Sequence, residues 1–322
     1  PQDLPGDPSA PLPDGGALLL ALRTAPLRDE APGCLHRGEW RPTTRGQHAN
    51  VGLWGCSAPG GAGRRGPEPW EFCENLPHPP DATFIGVNRN KTIEIVRKLD
   101  SMGAGGAVCF ASGFSETKIE RDNDEGNELQ KELTDAATKL ALLGPNCYGF
   151  LNYLDNVTVW PDQHGGHHVT NGVAIIAQSS NIAINLTMQK RSLPIAFVLT
   201  VGNQAKSGIS DLIQILLDDN RITAIGLYIE GFDNIEKFET AASKAVLLKK
   251  PLVVLKVGKT AYSVTTAFSH TASITGSNTA VSAFFKRLGC IEVSSLSHLL
   301  ETLKIFHFFG SVSYTHLRAH ET

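Results

Sequence analysis

The chain has 322 residues, with 32 acidic residues against 29 lysines and arginines, a net charge of −3 and a charged fraction of 19%. That balance excludes a basic nucleic-acid surface and an acidic interaction tail, and the length predicts two domains with sizeable cores. No run approaches the roughly 18 consecutive apolar residues of a membrane span, so no membrane partner is expected. The short ALLLAL at 17–22 follows Asp3, Asp7 and Asp14 in place of a basic stretch, which makes it a poor signal peptide. Without a signal, the Asn-x-Thr triplets at Asn156 and Asn185 carry no glycan expectation, and the six cysteines, which form no CxxC pair, read as free thiols. The expectation is a cytoplasmic protein.

Composition breaks near residue 75. Fourteen of the 18 prolines and three of the four tryptophans (Trp40, Trp54, Trp70) lie in residues 1–80, which hold no Lys, Ile or Tyr and a single valine, Val51. Residues 1–75 therefore lack the periodicity and branched apolar residues of a core-forming segment and are expected to be irregular. Two readings stay open: a disordered arm, or residues foreign to the native protein, such as a GC-rich gene read in the wrong frame. Scattered Trp and Cys with no Lys favour the second. At the other end, 311–322 breaks the pattern abruptly and reads as an artefactual tail, set aside from the fold.

Between these ends strands and helices alternate. Strands are expected at 82–88, 106–112 and 140–144 with helices at 91–103 and 127–139. A polar linker with HGGHH at 164–168 follows. Further strands are expected at 172–178, 193–201, 224–230, 251–257 and 290–293, separated by helices at 181–191, 207–219, 233–248, one after residue 277 and one at 295–308. Nearly continuous Val, Ile and Leu runs between amphipathic helices indicate parallel sheets covered on both faces. The fold class is α/β, with a truncated Rossmann-like domain over 76–160 and a whole flavodoxin-like doubly wound domain over 169–310.

Right-handed crossovers place the carboxyl ends of the second domain's strands on one edge. That edge collects Gln178-Ser179-Ser180-Asn181, Gly202-Asn203-Gln204, Glu230-Gly231 and the loop SHTASITGS at 269–277 with His270. An imidazole is nucleophilic near neutrality. Glu230 on a neighbouring loop could accept a hydrogen bond from one ring nitrogen and leave the other to attack. Ser179, Ser180 and Asn181 open a helix directly after a strand, where free N–H groups and the positive dipole end can hold an anion. Taken singly these are a capped helix, a solvated carboxylate and a packed loop histidine; as a set on one edge they point to a functional site with a nucleophilic imidazole beside an anion-holding helix start.

Four stretches resemble the NDP-forming acyl-CoA synthetases, which include the α subunit of succinyl-CoA synthetase: SGFSE at 112–116, GPNCYGFLN at 144–152, AIIAQSSN at 174–181 and SHTASITGS at 269–277. The resemblance runs over residues 76–310 in the family's order. It implies that His270 is a transient phosphohistidine, that Glu230 positions it, and that Ser179, Ser180 and Asn181 cradle the phosphoryl group. It also implies that the first domain holds coenzyme A across Asn88, Arg89, Ser112, Gly113, Asn146 and Cys147. The implied reaction interconverts acyl-CoA, NDP and phosphate with carboxylate, coenzyme A and NTP through an acyl phosphate. ATP/ADP or GTP/GDP with Mg²⁺ would bind an ATP-grasp domain or β subunit, for which this chain has no segment, in an oligomer with a small carboxylate or acyl-CoA as substrate.

Two positions depart from the family pattern, Ala272 and Ser180 standing where glycines are common, and no glycine-rich phosphate turn precedes residue 80. The GAGG at 103–106 does not replace it, because it precedes a strand, whereas a phosphate-binding turn follows one. The chain by itself is therefore expected to bind coenzyme A poorly and to be inactive. HGGHH reads as a solvated linker, with no metal expected, and Phe284, Phe285, Phe306, Phe308, Phe309, His298 and His307 as core positions on helices. The competing readings are a non-catalytic acyl-CoA-binding or regulatory module of a fused acyltransferase, and a flavodoxin-like electron carrier.

Overall fold

Two sheets carry the chain, and the computed structural model describes residues 51–54, 78–117, 124–257 and 278–310. The first sheet is built from β1 (Val51–Trp54), β2 (Ala82–Ile85), β3 (Gly106–Cys109) and β4 (Ala141–Leu143), all parallel and in the order β1-β2-β3-β4. Two helices pack on it, α1 (Arg89–Met102) and α2 (Glu125–Ala136). Helix α1 starts where the Asn88 side chain accepts the Lys91 N–H and stops at Gly103, whose φ of 77° a Cβ-bearing residue would adopt only with strain. Ile93, Val96 and Leu99, spaced by three, form its buried stripe.

The second sheet begins with the short strands β5 (Phe150–Asn152) and β6 (Val157–Val159). Its parallel part is β7 (Gly172–Ala177), β8 (Ile195–Thr200), β9 (Ile222–Ile229), β10 (Leu252–Lys256) and β11 (Ile291–Glu292). Across the sheet the order is β11-β10-β9-β7-β8-β5-β6. Counted along the chain the five parallel strands stand in the flavodoxin-like order 2-1-3-4-5, with the switch point between β7 and β9. Helices α3 (Ser180–Thr187), α4 (Ile209–Leu217), α5 (Ile235–Leu247), α6 (Asn278–Arg287) and α7 (Leu296–Phe309) cover the two faces. Along β7 the pleat sends Ala174 and Ile176 into the core shared with Leu212 of α4 and Phe238 of α5. Val173 and Ile175 face the other way, against Leu186 of α3 and Leu299 and Leu303 of α7. Each such fully buried Leu, Ile or Phe contributes about 1.5–3 kcal/mol over its exposed state.

Three features differ from the sequence reading. Val51–Trp54 forms an edge strand, in register with Ala82–Ile85, inside the stretch expected to be irregular. Strands β5 and β6 form an antiparallel hairpin that joins the second sheet through Phe150 opposite Leu199, so residues assigned to the first domain extend the second. Strands of three residues are too short to show a period, and their partner lies almost fifty residues further on. Phe308 and Phe309, expected in the core, are 56% and 74% exposed, whereas Phe285 is fully buried and Phe284 packs beside it.

The outer edge of β4 is not left open. The N–H groups of Asn203, Ala205 and Ser207, from the loop after β8, donate to the carbonyls of Pro145, Gly144 and Leu142 at 3.0, 3.0 and 3.2 Å. That backbone pairing joins the two sheets and covers an edge that would otherwise invite strand addition.

Candidate functional site

The switch point opens between the carboxyl ends of β7 and β9, where an open α/β sheet presents its crevice. Gln178 and Glu230 occupy those two ends, both buried. The Gln178 side-chain oxygen Oε1 accepts the backbone N–H of Glu230 and, at 2.8 Å, that of Gly231, while the backbone N–H of Gln178 donates to Tyr228 O. From the other side the ammonium of Lys256, at the end of β10, donates to the Glu230 carbonyl at 2.9 Å. The turn that carries Glu230 is thus held at its N–H and at its C=O by side chains from the strands on either side. Burial, together with the nearby Glu230 carboxylate, pushes the Tyr228 hydroxyl up to about 12, so it stays protonated at neutral pH.

Gln178 Nε2 is buried and has no hydrogen-bond partner among the described residues. Since Oε1 is committed to two backbone donors, the amide cannot flip to relieve it. Sequence reading placed Gln178 on the rim but gave it no role. Its signal was its place as the last residue before the helix cap, and its function depends on the β7–β9 register, which local sequence does not display.

The three residues expected to cradle a phosphoryl group do open α3, but their side chains serve differently. Ser179 is the N-cap, accepting the Ile182 N–H at 3.5 Å, and Ser180 Oγ accepts the Tyr148 N–H at 3.1 Å. Asn181 is exposed. The remaining first-turn backbone N–H groups are ones that no helix can satisfy internally. The hydroxymethyl of Ser180, where the family commonly has glycine, is absorbed by anchoring the loop of Tyr148. His270 lies outside the described residues, as does Ala272.

In the first domain the expected residues also gather at strand ends. Arg89 donates from its guanidinium to the Gly113 carbonyl at 2.7 Å and pairs with Glu125. The Asn146 N–H donates to Ala111 O at 2.9 Å, with Asn146 itself at φ 61° after the cis Gly144-Pro145 bond. The ends of β2, β3 and β4 are therefore tied together, with Asn88 and Ser112 exposed beside them. Asn88 spends its side-chain oxygen on capping α1. Gly113 needs its missing side chain, since at φ 100° a Cβ would meet Arg89 Cδ at 3.0 Å. Cys147 is the departure: its thiol is buried and pushed up to about 12, chiefly by desolvation, and its N–H points to Cys109 O. It packs the loop from inside and does not face the crevice.

Between the two rims lies a cluster that sequence reading missed. Glu116 Oε1 accepts the Gly113 N–H at 2.6 Å and Oε2 the Phe114 N–H at 3.2 Å. Asn203, from the second domain, donates through Nδ2 to Glu116 Oε2 and, at 3.0 Å, to Gln130 Oε1. Among the described residues no three His, Cys, Asp or Glu are grouped so as to hold a metal ion. Nor is any helix among them long and apolar enough to cross a membrane.

Comparison with known proteins places this geometry. Residues 170–306 match the family described as succinyl-CoA ligase like flavodoxin domain. Over 249 residues the chain is 29% identical to the α subunit of acetate–CoA ligase (ADP-forming) II of Pyrococcus furiosus, covering 75% of this chain and 52% of that one. Over 237 residues it is 30% identical to a trans-feruloyl-CoA synthase of an unknown prokaryotic organism, covering 71% of this chain and 33% of that one. Among solved structures, a dinucleotide-forming acetyl-coenzyme A synthetase 1 of Ca. Korarchaeum cryptofilum, in complex with phosphate and ADP, superposes with a TM-score of 0.60 at 27% identity. That match covers 70% of this chain and 48% of that one. The chain spans from a third to about half the length of these relatives.

Proposed function

We propose a function from the premise that the chain belongs to the NDP-forming acyl-CoA synthetase family: it is the α-subunit-like part of an acid–thiol ligase that passes a phosphoryl group from an acyl phosphate to His270. The observation that carries this reading is the fixing of the Glu230 turn by Gln178 and Lys256 at the switch point, beside the start of α3. A carboxylate carried on a turn whose backbone is held from the strands on either side is a preorganised partner for an imidazole, and a helix start next to it is a place for a tetrahedral anion.

The steps follow from these parts. Phosphate attacks the thioester carbonyl of acyl-CoA, the C–S bond breaks, and coenzyme A leaves as the thiol with an acyl phosphate formed. One nitrogen of His270 then attacks phosphorus, the P–O bond to the acyl group breaks, and the carboxylate leaves. Glu230 accepts a hydrogen bond from the proton-bearing nitrogen of the ring, keeping the other nitrogen's lone pair for phosphorus and stabilising the positive charge that develops. The first-turn N–H groups of α3 take the phosphoryl oxygens. Arg89, Ser112, Gly113 and Asn146 line the strand ends where coenzyme A would lie. The phosphoryl group passes on to a nucleoside diphosphate on an ATP-grasp domain or β subunit, and Mg²⁺ belongs with that nucleotide.

The test uses the chain alone with acetyl [³²P]phosphate, since transfer from acyl phosphate to imidazole needs no nucleotide. An acid-labile, base-stable label that disappears in His270→Ala supports the reading. A wild-type chain that takes no label favours the non-catalytic acyl-CoA-binding module.

A further inference from the structure

We propose that Asn203 is a positioning residue: it clasps the loop after β3 to the rim of the second sheet, so that the coenzyme A loop is held in register with the phosphoryl-transfer site. The inference rests on the proposed function and adds to it how the two rims are coupled.

The Glu116 carboxylate is buried and organises its own loop by accepting the Gly113 and Phe114 N–H groups. Charge-assisted bonds of this kind are the stronger class, and they fix the conformation of residues 112–116. Helix α2 adds a second hold, Gln130 Oε1 accepting from Ser115 Oγ at 2.6 Å. Into this arrangement the second domain sends one side chain. Asn203 Nδ2 faces Glu116 Oε2, Gln130 Oε1 at 3.0 Å and Ser115 Oγ at 3.5 Å, all in the first domain. Its orientation is not arbitrary, because a flipped amide would set oxygen against a carboxylate. The choice leaves Asn203 Oδ1 buried with no hydrogen-bond partner among the described residues, a cost that a side chain serving only to fill space would not incur.

The backbone supports the same conclusion. Asn203 N–H donates to Pro145 O at 3.0 Å, next to Asn146, so one residue touches the ends of both β3 and β4. Gly202, one residue earlier, is at φ 51° and packs so closely on Pro145 and Asn146 that a Cβ there would collide with their carbonyl oxygens. Asn203 itself follows β8, on the rim that holds Gln178 and Glu230. Arg89 pulls on the Gly113 carbonyl from one side while Asn203, through Glu116, holds the Gly113 N–H from the other. The coenzyme A loop is thus set by one residue of its own domain and one of the next.

The experiment compares wild type, Asn203→Asp, Asn203→Ala and the double variant Glu116→Gln/Asn203→Asp in the 322-residue chain. Coenzyme A binding is followed by NMR titration, and phosphorylation by acetyl [³²P]phosphate in parallel. In Asn203→Asp two carboxylates face each other, and coenzyme A affinity is expected to fall about tenfold while the labelling rate stays within about twofold. The double variant reverses the polarity of the bond, the amide introduced at position 116 donating to the carboxylate introduced at position 203, and recovers part of the affinity, since its nitrogen no longer accepts the Phe114 N–H. In Asn203→Ala, hydrogen exchange at the Gly113 and Phe114 amides quickens about tenfold. Unchanged coenzyme A affinity in Asn203→Asp, a parallel fall of binding and labelling, or unaltered exchange at Gly113 and Phe114 overturns the proposal. So does a wild-type chain with no saturable coenzyme A binding. Loss of labelling in the wild type counts against the proposed function instead, and leaves the clasp to be judged on binding and exchange.

Discussion

Replacing Gln178 with leucine removes the acceptor of two buried backbone donors while keeping nearly the same side-chain bulk. Glu230 and Gly231 N–H both lose their partner, and each stranded donor costs about 1–3 kcal/mol. Part of that is offset, because Nε2 of Gln178, which has no partner among the described residues, is removed as well, returning a similar ~1–3 kcal/mol. The net is a local loosening of about 2 kcal/mol, which corresponds to roughly 30-fold in an opening equilibrium. Native-state hydrogen exchange reads it directly, since a two-domain chain need not unfold in one step. Exchange at Glu230 and Gly231 should rise by about that factor in Gln178→Leu, while the Leu199 amide in β8 stays unchanged. Equal protection at 230 and 231 in both proteins would refute the claim that Gln178 holds the Glu230 turn.

Other expectations follow from the same structure. Phe285 is fully buried in a cluster with Phe232 and Phe238, its ring 5.8 and 6.1 Å from theirs, so Phe285→Ala should cost about 3–5 kcal/mol in urea unfolding of the second domain; a loss below about 1 kcal/mol would contradict that packing. Gly202→Ala places a methyl against the Pro145 and Asn146 carbonyls at positive φ and should destabilise by about 2–4 kcal/mol, with the two domains separating in a thermal scan. Asp155 is raised by burial but pulled further down by Arg221 and Asn152, so its carboxyl lies below the ordinary 3.8. A depressed carboxylate contributes stability in full above its unfolded value and loses it as pH falls through the folded one. The melting-temperature gap between wild type and Asp155→Asn should therefore be wide at neutral pH and narrow progressively as the pH falls below 3.8; a gap that does not narrow in acid would show that the Arg221 pairing at 2.6 Å does not supply it.

How much of this was legible in the sequence depended on whether a signal was local. The runs GVAIIA, IAFVLT and LVVLK each became a central strand, because strands buried on both faces must be apolar throughout. The helix start at Ser179 was readable too, a serine directly after a strand, and it caps its helix. The convergence of Gln178 and Glu230 followed from right-handed crossovers alone. What escaped were features decided by partners far away. Strands β5 and β6 exist because β8 offers an edge, and β1 because β2 does. Glu116 and Asn203 were each on a marked stretch, SGFSE and the end of β8, but they are 87 residues apart and nothing local says that they meet. Ser180 and Cys147 were placed on the right loops but given outward roles, whereas packing turned one to Tyr148 and the other to the core.

The central claim is that the buried Glu230 turn serves a phosphoryl-accepting imidazole at residue 270. The most direct measurement is tandem mass spectrometry, at neutral pH, of the chain treated with acetyl phosphate, comparing wild type with Glu230→Gln. The account predicts the phosphoryl group on His270 in wild type and a strongly reduced yield in Glu230→Gln. Phosphorylation on Ser179 or Ser180, or an equal yield on His270 in both proteins, would contradict it.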